Sequence, residues 1–403
     1  MATKSSRIWL PVGFAMLAVG WGANQFSPML LVYRAQLGLS ASGLALLFAL
    51  YAIGLIPGLL IGGPASDRYG RRTLVLPFVA LSPLASLLLV LAHHSPAGLG
   101  AARLLAGVCS GVVFAAAGAW IQELSSDAPF GAASRRAAVS LSLGFGLGPL
   151  VAALIAQWAP DPLVLPYFPH IALGVLSFGL VLAVPETARP GAASGPLLRL
   201  PSTAGLYRFR RAVVPVAPWV FGSASLAFVV LPAQVSSARS ASVAFAGVAT
   251  ALTLGSGVLV QAFARQLEER RRLAAAPVGL LAAALGLAIG LAADDLGSKP
   301  LVLVAAVPFG IAYGMCLVSG LRETERLAPA SERGASIAVF LALTYLGFGA
   351  PFLFDLLDGL TGASATLTLG IALALLTALW IWRQSRPGGD PALVAAGSPG
   401  VSG

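Results

Sequence analysis

Residues 63–72 read GPASDRYGRR, and they stand directly between two apolar runs. In this stretch Gly63 is followed by three residues, then Asp67, Arg68, Tyr69, Gly70, Arg71 and Arg72. A charged turn between two long apolar runs is what a chain needs when it leaves a bilayer and re-enters it at once. Gly70 permits the tight turn, and Gly63 permits close packing of helices. Asp67 offers a carboxylate to a nearby helix N-terminus, whose unpaired amides attract negative charge.

Working outward, the chain of 403 residues is 58% hydrophobic and only 10% charged, more apolar surface than a water-soluble core of this length buries. Its solvent is therefore lipid. A helix crossing about 30 Å of hydrocarbon needs roughly 20 apolar residues. Twelve such stretches are expected, at 8–33, 41–63, 73–93, 97–122, 137–158, 164–184, 213–235, 242–264, 274–293, 300–321, 335–356 and 362–382. The fold class read from them is an all-α membrane protein with twelve transmembrane helices in two pseudo-symmetric six-helix bundles. Twenty-eight prolines and 46 glycines are compatible with it, because neighbouring helices re-satisfy freed backbone groups in a bilayer. The first stretch exceeds a signal peptide's apolar region, and no small-residue cleavage pattern follows it, so it reads as a helix.

The net charge of +10 is spread over every second loop and forms no basic domain, which argues against a nucleic-acid partner. With the N-terminus inside, 21 Lys and Arg residues fall on the inner side and four, Arg34, Arg103, Arg239 and Lys299, do not. By the positive-inside rule both termini are cytoplasmic. Cys109 and Cys316 sit in different expected spans and read as packing residues. The Pro, Gly, Ser and Arg-rich stretch 189–212 reads as a cytoplasmic linker between bundles 1–188 and 213–386, and 387–403 as a disordered tail. Sliding by 199 residues aligns Gly58, Arg71, Arg72 and Leu74 with Gly257, Arg270, Arg271 and Leu273. The same register sets Asp67 against Gln266 and Gly70 against Glu269, and sliding by 200 aligns Glu123 with Glu323. Such repeats are common in transporters built around a midplane site.

Gly63, Asp67, Arg68, Gly70, Arg71 and Arg72 resemble the signature of the major facilitator superfamily. The resemblance implies a conformational latch, with Asp67 at the start of helix 11 near Gly334 to Ser336. Arg103, Gly107 and Gly111 resemble the family's second motif. An arginine within a span costs about 2.5 to 3.5 kcal/mol on insertion scales, so Arg103 either faces a polar cavity or snorkels to the interface. Gly144, Gly148 and Pro149 are similar to the motif of the drug:proton antiporter branch, with Ala152 and Ala153 in place of its final glycines; a kinked Gly/Pro packing seam is the plainer reading. Glu123, Glu323 and Glu325, with Arg135, Arg136 and Arg333 in the following loops, read as inner-gate ion pairs or as a solvated loop face. Pro185, Glu186 and Thr187 form a family-like stop after helix 6.

The resemblance also implies that helices 1, 4, 7 and 10 line a central cavity. Their polar and aromatic residues become candidates for substrate contact: Trp21, Asn24, Gln25, Arg103, Ser110, Trp120, Trp219, Ser223, Gln234 and Tyr313. No metal cluster, phosphate-cradling loop or cofactor motif stands out, and no acid–base pair marks an enzyme. His93, His94 and His170 read as interfacial, with a proton relay through His170 as the alternative. Helices 1 and 7 contain no Asp or Glu. The expected function is alternating-access transport, foremost the proton-linked efflux of a lipophilic compound and otherwise the uptake or facilitated diffusion of a metabolite. The expected partners are the lipid bilayer, a small-molecule substrate and protons, for a monomer in the bacterial inner (plasma) membrane.

Overall fold

The computed structural model describes residues 7–129, 132–188, 197–198, 200–235, 242–329 and 332–385. Arg189, Arg199, Arg239 and the 387–403 tail lie outside them, as do linker residues 190–196. The described regular structure is helical throughout. Its first elements are α1 (Leu10–Asn24), α2 (Phe26–Leu37), α3 (Ala41–Tyr69), α4 (Arg71–Leu91), α5 (Pro96–Glu123), α6 (Ala132–Trp158) and α7 (Leu165–Val181). After the linker come α8 (Phe209–Gln234), α9 (Val243–Arg270), α10 (Ala275–Asp295), α11 (Lys299–Leu327), α12 (Arg333–Thr361) and α13 (Ala363–Gln384). Among the described residues ten of these, α3 to α6 and α8 to α13, are long and apolar enough to cross a membrane.

Three differences from the expected spans have local causes. The span expected at 8–33 is broken at Gln25 and runs on to Leu37. Pro28 has no N–H for the Asn24 carbonyl, and the Ser27 hydroxyl donates to that carbonyl instead, at 2.9 Å. Helix α3 continues six residues beyond its expected end, so Asp67 and Arg68 sit on its last turn and only Gly70 separates it from α4. Helix α8 begins at Phe209, inside the stretch read as linker, with a π-helical turn over Phe209–Val213.

Close backbone contacts at glycine hold the bundle together. A Cβ on Gly107 or Gly111 of α5 would strike the Tyr51 or Leu55 carbonyl of α3, and one on Gly314 of α11 would strike the Gly257 carbonyl of α9. Gly144 and Gly148 of α6 face α1; a Cβ on Gly148 would lie 2.6 Å from the Trp21 carbonyl. Small residues permit such approaches, and van der Waals packing then stabilises them in lipid, where the hydrophobic effect between helices is absent. Gly63 does not take part. A Cβ there would meet open space, because the face of α3 that meets Val112 is Gly62, one residue and about 100° away.

The parts of the chain before and after the linker meet at the end of the bundle away from the Asp67–Arg72 turn. There Gln157 Oε1 accepts from the Ser242 hydroxyl at 3.2 Å and from the Ala244 N–H at 3.3 Å. Gly247 of α9 packs against Pro149 and Ala153 of α6. Helix α12 tightens into a 3-10 turn over Leu346–Gly349, just before Pro351, where Gly347 presses onto Gly222 and Pro218 of α8. That turn aims Phe348 at α3.

Candidate functional site

Arg103 is 1% exposed, buried between α1, α2, α3 and α5. Its guanidinium lies 4.5 Å from the ring centre of Phe26 and 4.7 Å from that of Tyr51, so it is held between two aromatic faces. Nη1 donates to the Ala23 carbonyl at 3.1 Å, an acceptor beside the α1 break, and Nε to the Leu47 carbonyl at 3.4 Å. Tyr33 and Tyr167, joined through their hydroxyls at 2.6 Å, complete the surroundings. Among the described residues no carboxylate pairs with Arg103. A buried cation stabilised by carbonyls and ring faces alone keeps attraction for an anionic group. This geometry is not that of snorkelling.

From Tyr51 an aromatic cluster crosses between the two parts of the chain. Phe348 lies 5.9 Å from Tyr51 and 4.9 Å from Phe48, both on α3, and 4.9 Å from Phe221 on α8. Phe221 stacks on Tyr345 at 4.4 Å and approaches Tyr313 of α11 at 5.6 Å, while Phe228 meets Phe48 edge-on at 6.3 Å. The Ser223 hydroxyl and the Trp21 indole N–H are buried without partners, as is Oε1 of Gln234. The Tyr51 hydroxyl, within the cluster, is orphaned too, and orphaned groups together with an aromatic surface suit a mostly apolar solute with a few polar atoms.

The other cavity candidates divide. Asn24 donates to the Phe145 carbonyl at 3.0 Å, and Ser110 is buried on α5 below Tyr51. Trp219 packs among apolar residues of α10, α11 and α13. Gln25 points away from the aromatic cluster to Ser86 of α4. Trp120 is fully buried and its indole N–H is tied to the Pro185 carbonyl at 3.2 Å, which makes it a brace for the end of α7. His170, read as interfacial, is instead 1% exposed, between Ser82 and Ser86.

At the arginine-bearing end the ionic groups pair in ways that sequence reasoning did not reach. Arg71 pairs with Asp67 one turn earlier, contacts Ser66, and binds Glu123 through Nη2 at 2.9 Å. Among the described residues Asp67 makes no bond to residues 334–336. There Ser336 lies 3.0 Å from the linker hydroxyl of Thr203, and Glu332 takes the Ser202 N–H at 2.7 Å. The carboxylate that does occupy a helix start is Glu186. It accepts from the backbone N–H of Arg71 and Arg72, each at 2.9 Å, at the start of α4. Burial pushes its acid strength down, and the N–H groups of Ala188, Arg71, Thr73 and Thr187 outweigh that and hold its pKa below the usual glutamate range. Gly70, at φ +108°, is the turn that brings these groups together, and a Cβ there would collide with Glu186. Arg72 also donates to the Leu182 carbonyl at 2.7 Å, and Arg68 lies over Tyr69.

The second half has the same devices in a shifted register. Glu323 is fully buried and takes Arg272 through both oxygens, at 2.7 and 2.8 Å, and Arg208 at 2.7 Å. Glu123 with Arg71 therefore corresponds to Glu323 with Arg272, a spacing of 201 for the arginines. In that register Asp67 matches Glu268, not Gln266. Glu268, also buried, accepts from the N–H of Leu273 at 3.0 Å and of Ala275 at 3.1 Å, from Ser319 at 2.6 Å and from Arg326 at 3.3 Å. The repeated Asp67-x-x-x-Arg71 and Glu268-x-x-x-Arg272 spacing was the signal available in the sequence. The Arg71, Arg272 and Arg326 pairs each stay on one side of the linker, and Arg208 reaches Glu323 from within it. Arg136 stacks on Trp9 and binds Ser125, while Arg135, Glu325 and Arg333 enter no ion pair among the described residues.

Comparison with known proteins agrees with this architecture. The family model described as Major Facilitator Superfamily matches residues 12–351. The 3-(3-hydroxy-phenyl)propionate transporter of Escherichia coli (strain K12) is 32% identical over 117 residues, 27% of this chain and 27% of that protein. Quinolone resistance protein NorA of Staphylococcus aureus is 23% identical over 182 residues, 45% of this chain and 46% of that protein. The matches thus span about a quarter and about half of those relatives. In fold, the chain is similar to a D-xylose-proton symporter, with TM-score 0.71 at 18% identity over 95% of this chain and 98% of that one.

Proposed function

The chain belongs to the Major Facilitator Superfamily, and we propose that it exports a lipophilic, aromatic small molecule against a proton gradient by alternating access. The observation that carries this reading is the ring cluster of Phe48, Tyr51, Phe221, Tyr345 and Phe348, which spans the two halves beside orphaned polar groups. A solute between those rings would separate contacts that otherwise join the halves, so its binding would bias the equilibrium between inward-facing and outward-facing arrangements. The quinolone-resistance relative supports efflux.

In this reading the chain crosses the bilayer twelve times as bundles 1–188 and 213–386, with both termini and the arginine-bearing end in the cytoplasm. The recurrence of the Glu123–Arg71 pair as Glu323–Arg272 supports the duplication. The arrangement described is the inward-facing one: the cytoplasmic ion pairs stay within each half, and Gln157, Ser242, Phe48 and Phe348 join the halves at the outer end. Asp67 would reach the start of α12 only in the opposite arrangement.

A second reading is uptake of an aromatic carboxylate. Arg103, without a carboxylate partner, favours it, as does the phenylpropionate transporter relative. Proteoliposome flux of a quinolone and of 3-(3-hydroxyphenyl)propionate, each with and without a pH gradient, tests both. Gradient-driven quinolone flux supports export, gradient-driven phenylpropionate flux supports the second reading, and flux indifferent to the gradient rejects proton linkage.

A further inference from the structure

Behind the α1 break lies a buried polar chain that the aromatic cluster does not use. Gln25 Nε2 donates to Ser86 Oγ at 2.7 Å. Ser86 Oγ lies 2.7 Å from His170 Nδ1, and His170 Nε2 lies 3.3 Å from Ser82 Oγ. We assign the hydrogen of Ser86 Oγ to Nδ1, which at 2.7 Å is the acceptor within its reach once Gln25 Nε2 donates to the same oxygen. Nδ1 is then an acceptor, and the imidazole is neutral with its hydrogen on Nε2, facing Ser82. Gln25 Oε1 is left buried with no partner.

We propose that His170 is a proton-binding site of the transport cycle, and that its protonation reverses the hydrogen bonds through Ser86 to Gln25 at the break in helix 1. The proposal rests on the proton-linked reading above. The proton adds to the Nδ1 lone pair, and Nδ1 then donates to Ser86 Oγ. The hydrogen of Ser86 turns to Gln25 Oε1, the unpartnered acceptor of the chain, as the amide rotates. No bond other than these hydrogen bonds forms or breaks.

The break is where such a reversal has leverage. Ala23 and Phe26, two residues before and one after Gln25, supply the carbonyl and the ring that hold Arg103. A Cβ on Gly22 would collide with the His170 ring, so α1 and the imidazole are in direct contact. The elements around His170 bring little competing charge. Helix α1 presents Gly22, the break presents Gln25, and α4 presents Ser82, Pro83 and Ser86. The nearest titratable neighbour on α7 is Tyr167, bound to Tyr33. A proton at His170 therefore places a buried cation against α1 at Gly22, and the reversed hydrogen bonds at Gln25 favour movement of the break.

The test uses the full chain in nanodiscs, with spin labels at Ser126→Cys and Gln266→Cys on exposed turns of the two halves, and pH as the only variable. A second measurement follows the 15N signals of the His170 imidazole in His93→Asn/His94→Asn protein. The expected result is an interhalf distance that shifts with pH in the wild-type background and stays flat in His170→Gln. The imidazole should pass from the Nε2–H form to the doubly protonated form at the same midpoint. Gln25→Met should still titrate at His170 without moving the labels. An unchanged pH response in His170→Gln, or an imidazole that stays neutral while the distance shifts, overturns the proposal and leaves proton linkage standing. A wild-type distance indifferent to pH overturns both. Movement retained in Gln25→Met overturns the Gln25 link.

Discussion

Glu186 lies 2.9 Å from the backbone nitrogen of Arg71, so the carboxylate after α7 neutralises the start of α4. Its pKa is depressed because, against its own burial, backbone N–H groups favour the charged form. A depressed carboxylate stabilises the fold above its unfolded pKa, and that contribution is lost as pH falls through the folded value. Glu186→Gln should cost about 0.3 to 1 kcal/mol at pH 7, the range for a charge at a helix start. Thermal unfolding in detergent should show the gap between variant and wild type closing below the ordinary glutamate range. A gap constant down to pH 3 would assign the effect to packing.

Glu268 and Asp67 occupy matching places with unequal burial, and substitution should reveal it. Glu268 is fully buried with four donors, whereas Asp67 is about half exposed beside Arg71. Glu268→Ala leaves the Leu273 and Ala275 N–H groups and the Ser319 hydroxyl without their acceptor and should destabilise by about 3 kcal/mol. Asp67→Ala should cost less than about 1 kcal/mol in the same unfolding assay. Its effect should appear instead in state distribution, as a smaller population of the outward-facing arrangement. Equal losses of stability would mean that the buried cluster contributes no more than a surface pair.

Arg103 depends on a planar cation between two rings, so lysine is a poor substitute. A desolvated cation–π contact is worth about 2 kcal/mol. Arg103→Lys should therefore reduce proteoliposome flux roughly 30-fold if half or more of that is lost from each of the two contacts. Membrane levels should stay near normal. Full flux in Arg103→Ala would remove this residue from the transport pathway.

Phe348 is the ring that joins α12 to α3, and it should contribute to both solute affinity and closure. Aromatic pairs are worth about 0.5 to 1.5 kcal/mol beyond their area. Phe348→Ala should weaken quinolone binding, read by calorimetry, by roughly fivefold. Phe352→Ala, on the exposed side of the same helix, should not. Equal effects would mean that the rings are only packing.

Much of the architecture was legible because lipid imposes strong local rules. Runs of about 20 apolar residues must become helices, since every backbone polar group needs an internal partner. Arg103 could be singled out for the same reason: a charge inside such a run requires an explanation. Glycine at 107, 111, 144 and 148 was readable as close packing, because only the missing Cβ allows one backbone to touch another.

What tertiary structure decided was which partner each of these groups took. Asp67 was expected at the start of α12, yet it pairs with Arg71, while Glu186, more than a hundred residues away, fills the corresponding role at α4. Gln25 and His170 lie 145 positions apart and share Ser86 only because α1, α4 and α7 pack on one side of the bundle. The rings of Phe48, Phe221 and Phe348 look like ordinary apolar residues until the two halves are docked. Sequence by itself determined that the apolar runs become helices long enough to cross a membrane, because helix formation in such runs depends on a short local window. Partner choice depends on helix rotation and register, and a shift of one residue turns a side chain by about 100° onto another neighbour.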